Sequence, residues 1–156
     1  MFETIIEYPN GGIINAYLLI NKEAPDYDKV KNCCDFFAKQ GSTTVMTPRL
    51  HHKDPLYQIA YKNIIGTIYE GKCPDFLVDD KYYELEGFDP TQNSNPTRTF
   101  SNMISRGIKQ SDRIILEDCG VTHRWARRNI QTRILNGDII TEVWILENNG
   151  SLSSLY

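Results

Sequence analysis

The chain has 156 residues, 40% hydrophobic and 24% charged, with a net charge of −3. That length suits one domain with a real core, and no apolar run approaches the roughly 20 residues of a bilayer span, so a membrane protein of that kind is excluded. Cys33, Cys34, Cys73 and Cys119 show no C-x-x-C spacing, which excludes a zinc site built from a local motif and points to reduced thiols in the core.

Residues 2–8 and 13–20 read as two strands around the turn "PNGG". No basic n-region precedes them, so no secretory signal is expected, and the simplest expectation is an intracellular protein, although a domain cut from a larger secreted protein would look the same. "APDYDKVKNCCDFFAKQG" predicts a helix with Asp26 as N-cap, an apolar stripe of Val30, Cys33, Cys34 and Phe37, and Gly41 as its stop. "STTVMTP" predicts a short strand and "RLHHKDP" a loop, with His51 and His52 as loop decoration. "PLYQIAYKNIIG" predicts a helical turn or two before the strand-like "TIYE".

"PDFLVDDKYYELEGF", residues 74–88, predicts a hairpin turning near Asp79 and Asp80, followed by the polar loop "DPTQNSNPT". "RTFSNMISRGIKQ" predicts a helix with Phe100, Ile104 and Ile108 on one side, and "DRIILED" a buried strand. "THRWARRNIQTRILNG" predicts another helix, capped by Thr122 and ended by Gly137. "ITEVWILENN" and "SLSSLY" close the chain as strands. The order predicts an α+β class, a central mixed sheet flanked by helices in a single domain over 1–156, with 1–27 as an N-terminal hairpin extension of a core at 28–156.

Charge is unevenly spread. Residues 1–97 hold 9 basic and 14 acidic side chains, whereas 98–133 hold 8 and 3. Those eight are Arg98, Arg106, Lys109, Arg113, Arg124, Arg127, Arg128 and Arg133, and seven of them are arginine, the better phosphate ligand. The segment fits either a polyanion partner or solvated helix faces balancing an acidic neighbour.

Strand alternation puts Glu84 and Glu86 on one face of the hairpin, and pairing around residues 79–80 brings Asp75 opposite Glu84. Three carboxylates so placed would suit Mg²⁺ or Mn²⁺, which take oxygen ligands and can lower the pKa of a bound water. The same alternation fits a solvent-facing acidic strand face. His123 opens the Arg-rich helix, either as a general acid or base or as a solvent-facing helix start. Arg124, Arg127 and Arg128 could track a phosphate backbone, while Trp125 anchors the helix in the core. Arg106 and Lys109 join them as candidate nucleic-acid contacts. Gln110 is a candidate hydrogen-bonding partner of the acidic site or a polar helix end.

"PDFLVDDKYYELEGF", then "SNMISRGIKQSDRIIL", and later "EVWILENNGSLSSLY" resemble, in order and spacing, the nuclease domains at the C-termini of bacterial polymorphic toxins, including contact-dependent growth inhibition toxins. The upstream "FFAKQGSTTVMTP" is similar to the helix and strand that precede the motif there, so the resemblance covers about residues 28–156. It implies a nuclease acting on RNA in preference to DNA, with the cytoplasm as its site of action, delivery within a larger secreted toxin, and an immunity protein as partner. Two folds are implied. In the PD-(D/E)XK type, Asp75 and Glu84 bind metal and Gln110 assists. In the barnase, EndoU, colicin and RelE-like type, a group such as His123 acts without metal. The predicted element order fits the first. The pattern expects Lys where this sequence has Glu86, and Gly where it has Asp80. The alternative implied by that departure is a degenerate module that binds nucleic acid or a partner without cleaving.

Overall fold

β1 (Phe2–Glu7) and β2 (Ile13–Tyr17) form the expected antiparallel hairpin, with Phe2 opposite Tyr17. The computed structural model describes all residues 1–156, and the chain divides into two compact units, Met1–Tyr83 and Glu84–Tyr156. The expected α+β class holds in both.

In the first unit, β2 pairs in parallel with β3 (Thr43–Met46), so the N-terminal hairpin joins the sheet through β2. β3 pairs antiparallel with β4 (Phe76–Val78), and β4 with the start of β5 (Lys81–Glu86). The turn between β4 and β5 is Asp79–Asp80, both at positive φ (47° and 69°), a two-residue turn that suits the twist of a hairpin. The connection from β2 to β3 carries α1 (Tyr27–Ala38), which buries Val30, Cys33, Cys34 and Phe37 as the periodicity predicts. Phe37 packs on Tyr83 at 5.3 Å between ring centroids, and Phe76 stacks on Tyr83 at 5.5 Å. Gly12 has no room for a side chain, because a Cβ there would stand 1.6 Å from the Ala38 carbonyl oxygen.

Another cluster of the first unit gathers Tyr17, Tyr57, Tyr61, Leu77 and Tyr82. Tyr57 and Tyr61 come from α2 (Tyr57–Ala60) and the residue after it. Three of its hydroxyls are each satisfied by a carbonyl. Tyr57 donates to Lys72 O at 2.7 Å, Tyr61 to Pro48 O at 2.7 Å and Tyr82 to Ala60 O at 2.8 Å. Two expectations need correction. "TIYE" is a turn, held by Thr67 Oγ1 donating to Ile64 O and by Glu70 N–H donating to Thr67 O, bonds that a strand could not make. Asp26 stands at the N-cap of α1 but makes no side-chain cap bond, because its backbone is itself helical and its carboxylate lies toward Arg49.

In the second unit, the end of β5 pairs in parallel with β6 (Arg113–Glu117), β6 in parallel with β7 (Glu142–Leu146), and β7 antiparallel with β8 (Leu152–Ser154). α3 (Pro96–Gly107) and α4 (His123–Leu135) connect the parallel strands. Their apolar residues, Phe100, Met103, Ile104, Ala126 and Ile130, are buried with Ile114, Leu116, Val143 and Ile145 of the sheet. Trp125 anchors α4 as expected, its ring edge-on to Phe100 at 5.5 Å. Asn95 caps α3 and Thr122 caps α4, each side chain accepting a backbone N–H.

Candidate functional site

Three parallel strands end at one edge of the second unit, where α/β sheets usually place ligands. Glu86 ends β5, Glu117 ends β6, and Glu147 follows β7. A Cβ on Gly87 would stand 2.7 Å from Glu117 Oε1, so the missing side chain is what lets that carboxylate lie against β5.

His123, the first residue of α4, reaches this edge. Its Nε2 lies 3.1 Å from Glu147 Oε1, and its side chain is 42% exposed. An ionised carboxylate only accepts, so Nε2 is the donor of this contact, and in the neutral imidazole Nδ1 is then the nitrogen that carries the lone pair. A carboxylate behind an imidazole fixes its tautomer and stabilises the imidazolium formed when it takes a proton. The pairing was not visible in the sequence, because 24 residues separate the partners. The available signal was a Glu directly after the strand "EVWIL", at the carboxyl end of a parallel strand.

Seven of the eight basic residues separate into two sets, and the eighth, Arg98, is exposed in the first turn of α3. Arg106 pairs with Glu86 at 3.1 Å, Arg113 with Glu142 at 2.8 Å, and Arg133 with Asp138 at 3.5 Å while also donating to Ser101 O at 3.0 Å. These three do structural work. Arg124, Arg127 and Arg128 are exposed on α4, spaced at i, i+3 and i+4 on one side of the helix. None of them enters an ion pair, and Arg127 alone makes a bond, a long one of 3.3 Å to Ser154 O. Lys109 is likewise exposed, in the turn after α3, and Gln110 beside it is half-buried.

Of the expected carboxylates, Glu84 is buried and Glu86 half-buried, and they share the face of β5 that carries Ile114 and Leu116 on β6. This is an inward face of the second unit rather than a solvated one. Asp75 belongs to the first unit. Its N–H donates to Tyr83 O at 2.9 Å, its carbonyl accepts from Thr47 N–H at 3.1 Å, and it lines a cavity of about 610 Å³. No three or more His, Cys, Asp or Glu side chains gather in a group that could hold a metal ion. Glu86 is moreover bonded to a guanidinium, so the donor set as it stands does not fit Mg²⁺ or Mn²⁺. His51 and His52 lie in an exposed loop, their rings 4.3 Å apart.

No family model matches the sequence, and neither does any curated protein. Among solved structures, the chain is similar to a chain of the CdiA-CT/CdiI toxin and immunity complex from Burkholderia pseudomallei, at 15% identity over 88% of this chain and 89% of that one, with a TM-score of 0.49.

Proposed function

We propose that this chain is a toxin-type nuclease that cleaves RNA. The observation that supports it is the His123–Glu147 pair at 3.1 Å, at the start of a helix whose exposed side carries Arg124, Arg127 and Arg128. The arginines hold the phosphate backbone electrostatically. His123 Nδ1 takes the proton of a ribose 2′-hydroxyl. The O2′–P bond forms, the P–O5′ bond breaks, the departing 5′-oxygen takes a proton from water, and the hydroxide so formed takes the proton back from the His123 imidazolium, leaving a 2′,3′-cyclic phosphate and neutral His123. Glu147 holds the imidazolium between the two proton transfers. DNA lacks the 2′-hydroxyl and is not cut by this route. The resemblance of the hairpin and helix motifs to toxin nuclease domains supports the toxin class and an immunity protein as partner.

The test is cleavage of total tRNA and plasmid DNA by the purified chain, with Mg²⁺, with Mn²⁺ and with EDTA. The expected result is RNA cleavage that survives EDTA, leaves cyclic phosphate ends and is lost in His123→Ala. Cleavage abolished by EDTA and by Glu84→Ala, but not by His123→Ala, replaces this route with a metal-dependent one through Asp75, Glu84 and Glu86. Binding without cleavage in every condition makes the chain a degenerate nucleic-acid-binding module.

A further inference from the structure

The turn from β7 to β8 runs through Asn148, Asn149 and Gly150, directly after Glu147. Glu147 N–H donates to Ser151 O and Gly150 N–H to Glu147 O, both at 2.9 Å, with Gly150 at a φ of 86°. Asn149 is exposed, and its side chain folds back over the turn. Its Oδ1 accepts from Ser151 N–H at 3.0 Å and from Ser151 Oγ at 2.7 Å, while Nδ2 engages no partner. A Cβ at Gly150 would meet nothing within 4 Å, so nothing crowds the peptide that follows the asparagine.

We infer that Asn149 is a self-modification site, at which the chain converts its own asparagine to isoaspartate and thereby loosens Glu147 from His123. Gly150 N, its proton given to hydroxide, attacks Asn149 Cγ. Negative charge develops on Oδ1, where Ser151 N–H and Oγ–H already stand as donors. The Cγ–Nδ2 bond breaks, and Nδ2 leaves as ammonia with a proton from water, which returns the hydroxide. Water then adds to the cyclic imide at the Asn149 main-chain carbonyl carbon, and the bond from that carbon to Gly150 N breaks. The main chain now runs through Cβ and Cγ, with the former carbonyl as a free carboxylate. Addition at Cγ instead gives aspartate. The first step requires Gly150 N–H to leave Glu147 O, a local opening that a hairpin tip makes at low cost.

Two other Asn-Gly pairs, Asn10–Gly11 and Asn136–Gly137, set the comparison. Asn10 has one donor on Oδ1, Gly12 N–H, and its Nδ2 is held by Lys39 O. Asn136 ends α4 with no donor on its Oδ1. Glu147 closes the β7–β8 turn with both its N–H and its carbonyl. An extra main-chain carbon inside that turn breaks the pairing and frees the residue whose carboxylate lies 3.1 Å from His123 Nε2. The modification stands apart from the RNA reading, and only its effect on cleavage rests on it.

Peptide mapping by mass spectrometry, after incubation of the full chain in mildly alkaline buffer, tests it. Residue 149 is expected to exchange NH for O, chiefly as isoaspartate, at least about tenfold faster than residues 10 and 136, since each lacks a favourable contact or must break one worth about 1 kcal/mol. Ser151→Ala is expected to slow the conversion several-fold, and Asn149→Ser, which keeps a turn-forming oxygen, to abolish it; thermal melts of both confirm the fold. Ring resonances of His123 are expected to move in the aged parent and to stay fixed in aged Asn149→Ser, with RNA cleavage falling in the first alone. Conversion at equal rates at the three sites, no conversion at Asn149, or a rate unchanged in Ser151→Ala overturns the proposal. Isoaspartate at 149 with unmoved His123 resonances overturns the link to Glu147. If the fresh chain cuts no RNA, the mass and resonance readouts still decide the modification, and the nuclease reading fails separately.

Discussion

Arg106 Nε lies 3.1 Å from Glu86 Oε2, and Nη2 of the same guanidinium donates to Gly87 O at 2.9 Å. The strand position where the toxin pattern expects a lysine thus carries a carboxylate, and the positive charge arrives instead from α3. The Glu86 side chain is 15% exposed and that of Arg106 52%, so the pair is half in water. Arg106→Ala is therefore expected to cost about 1 kcal/mol, well below the cost of breaking a buried pair. Glu86→Gln keeps an acceptor for the guanidinium and is expected to cost less. Urea unfolding of both variants checks the order.

The two sets of arginines separate binding from stability. Arg124→Ala and Arg128→Ala remove exposed charges that hold nothing in the fold, so the melting temperature is expected to stay within about 1 °C of the parent. Each is expected to lower RNA affinity and to reduce the slope of log K against log salt by about 1 or slightly less. Arg133→Ala does the opposite. It leaves Ser101 O, Ser105 and Asp138 without their donor and is expected to cost about 1–3 kcal/mol of stability, with the salt slope unchanged. Filter binding across a salt series, beside thermal melts, distinguishes the two behaviours.

Gly107 and Gly12 are held by close approach rather than by turn geometry. At Gly107, in the last turn of α3, alanine would ordinarily stabilise a helix by up to about 1 kcal/mol. Here its Cβ would stand 2.8 Å from Ile114 Cγ2, so Gly107→Ala is expected to destabilise by about 1–3 kcal/mol instead. Gly12→Ala is expected to cost more, because its obstacle is the Ala38 backbone carbonyl, which has no rotamer to turn into. Chemical denaturation gives both the sign and the ranking.

The tyrosine cluster makes the first unit sensitive to alkali. Burial raises the pKa of Tyr17, Tyr57 and Tyr61, and pushes Tyr82 up to about 12. A raised folded-state value means that the fold keeps its proton where the unfolded chain has lost it. The stabilisation is complete below the ordinary tyrosine value of 10.0 and falls as pH rises toward 12. Burial also raises the Cys34 thiol from 9.0 to about 12 and raises the Cys119 thiol, so melting temperatures are expected to begin falling near the ordinary thiol value of about 9 and to fall more steeply above about 10, where the tyrosines join. Tyrosinate absorbance of the native chain is expected to show a set of its nine tyrosines titrating late, and all of them titrating together once the chain is unfolded.

Local chemistry was enough for the elements whose cause is local. The stripe Val30, Cys33, Cys34 and Phe37 specified α1, the Asp79–Asp80 pair specified the hairpin turn, and Thr122 specified the start of α4. "TIYE" escaped because strand propensity is a preference for a half-buried ladder, and this segment has no neighbouring strand to pair with. The expected role of the hairpin carboxylates was set by alternation alone, which puts Glu84 and Glu86 on one face but cannot say whether that face meets water. The tertiary structure decided it, by parallel pairing with β6 that turns the face toward Ile114 and Leu116. It also decided which arginines are engaged in ion pairs and which are exposed without one, and it brought His123 to Glu147. Arg106–Glu86, Arg113–Glu142 and His123–Glu147 join residues 20 or more positions apart, and only the packing of helices on a sheet brings such residues within hydrogen-bond reach.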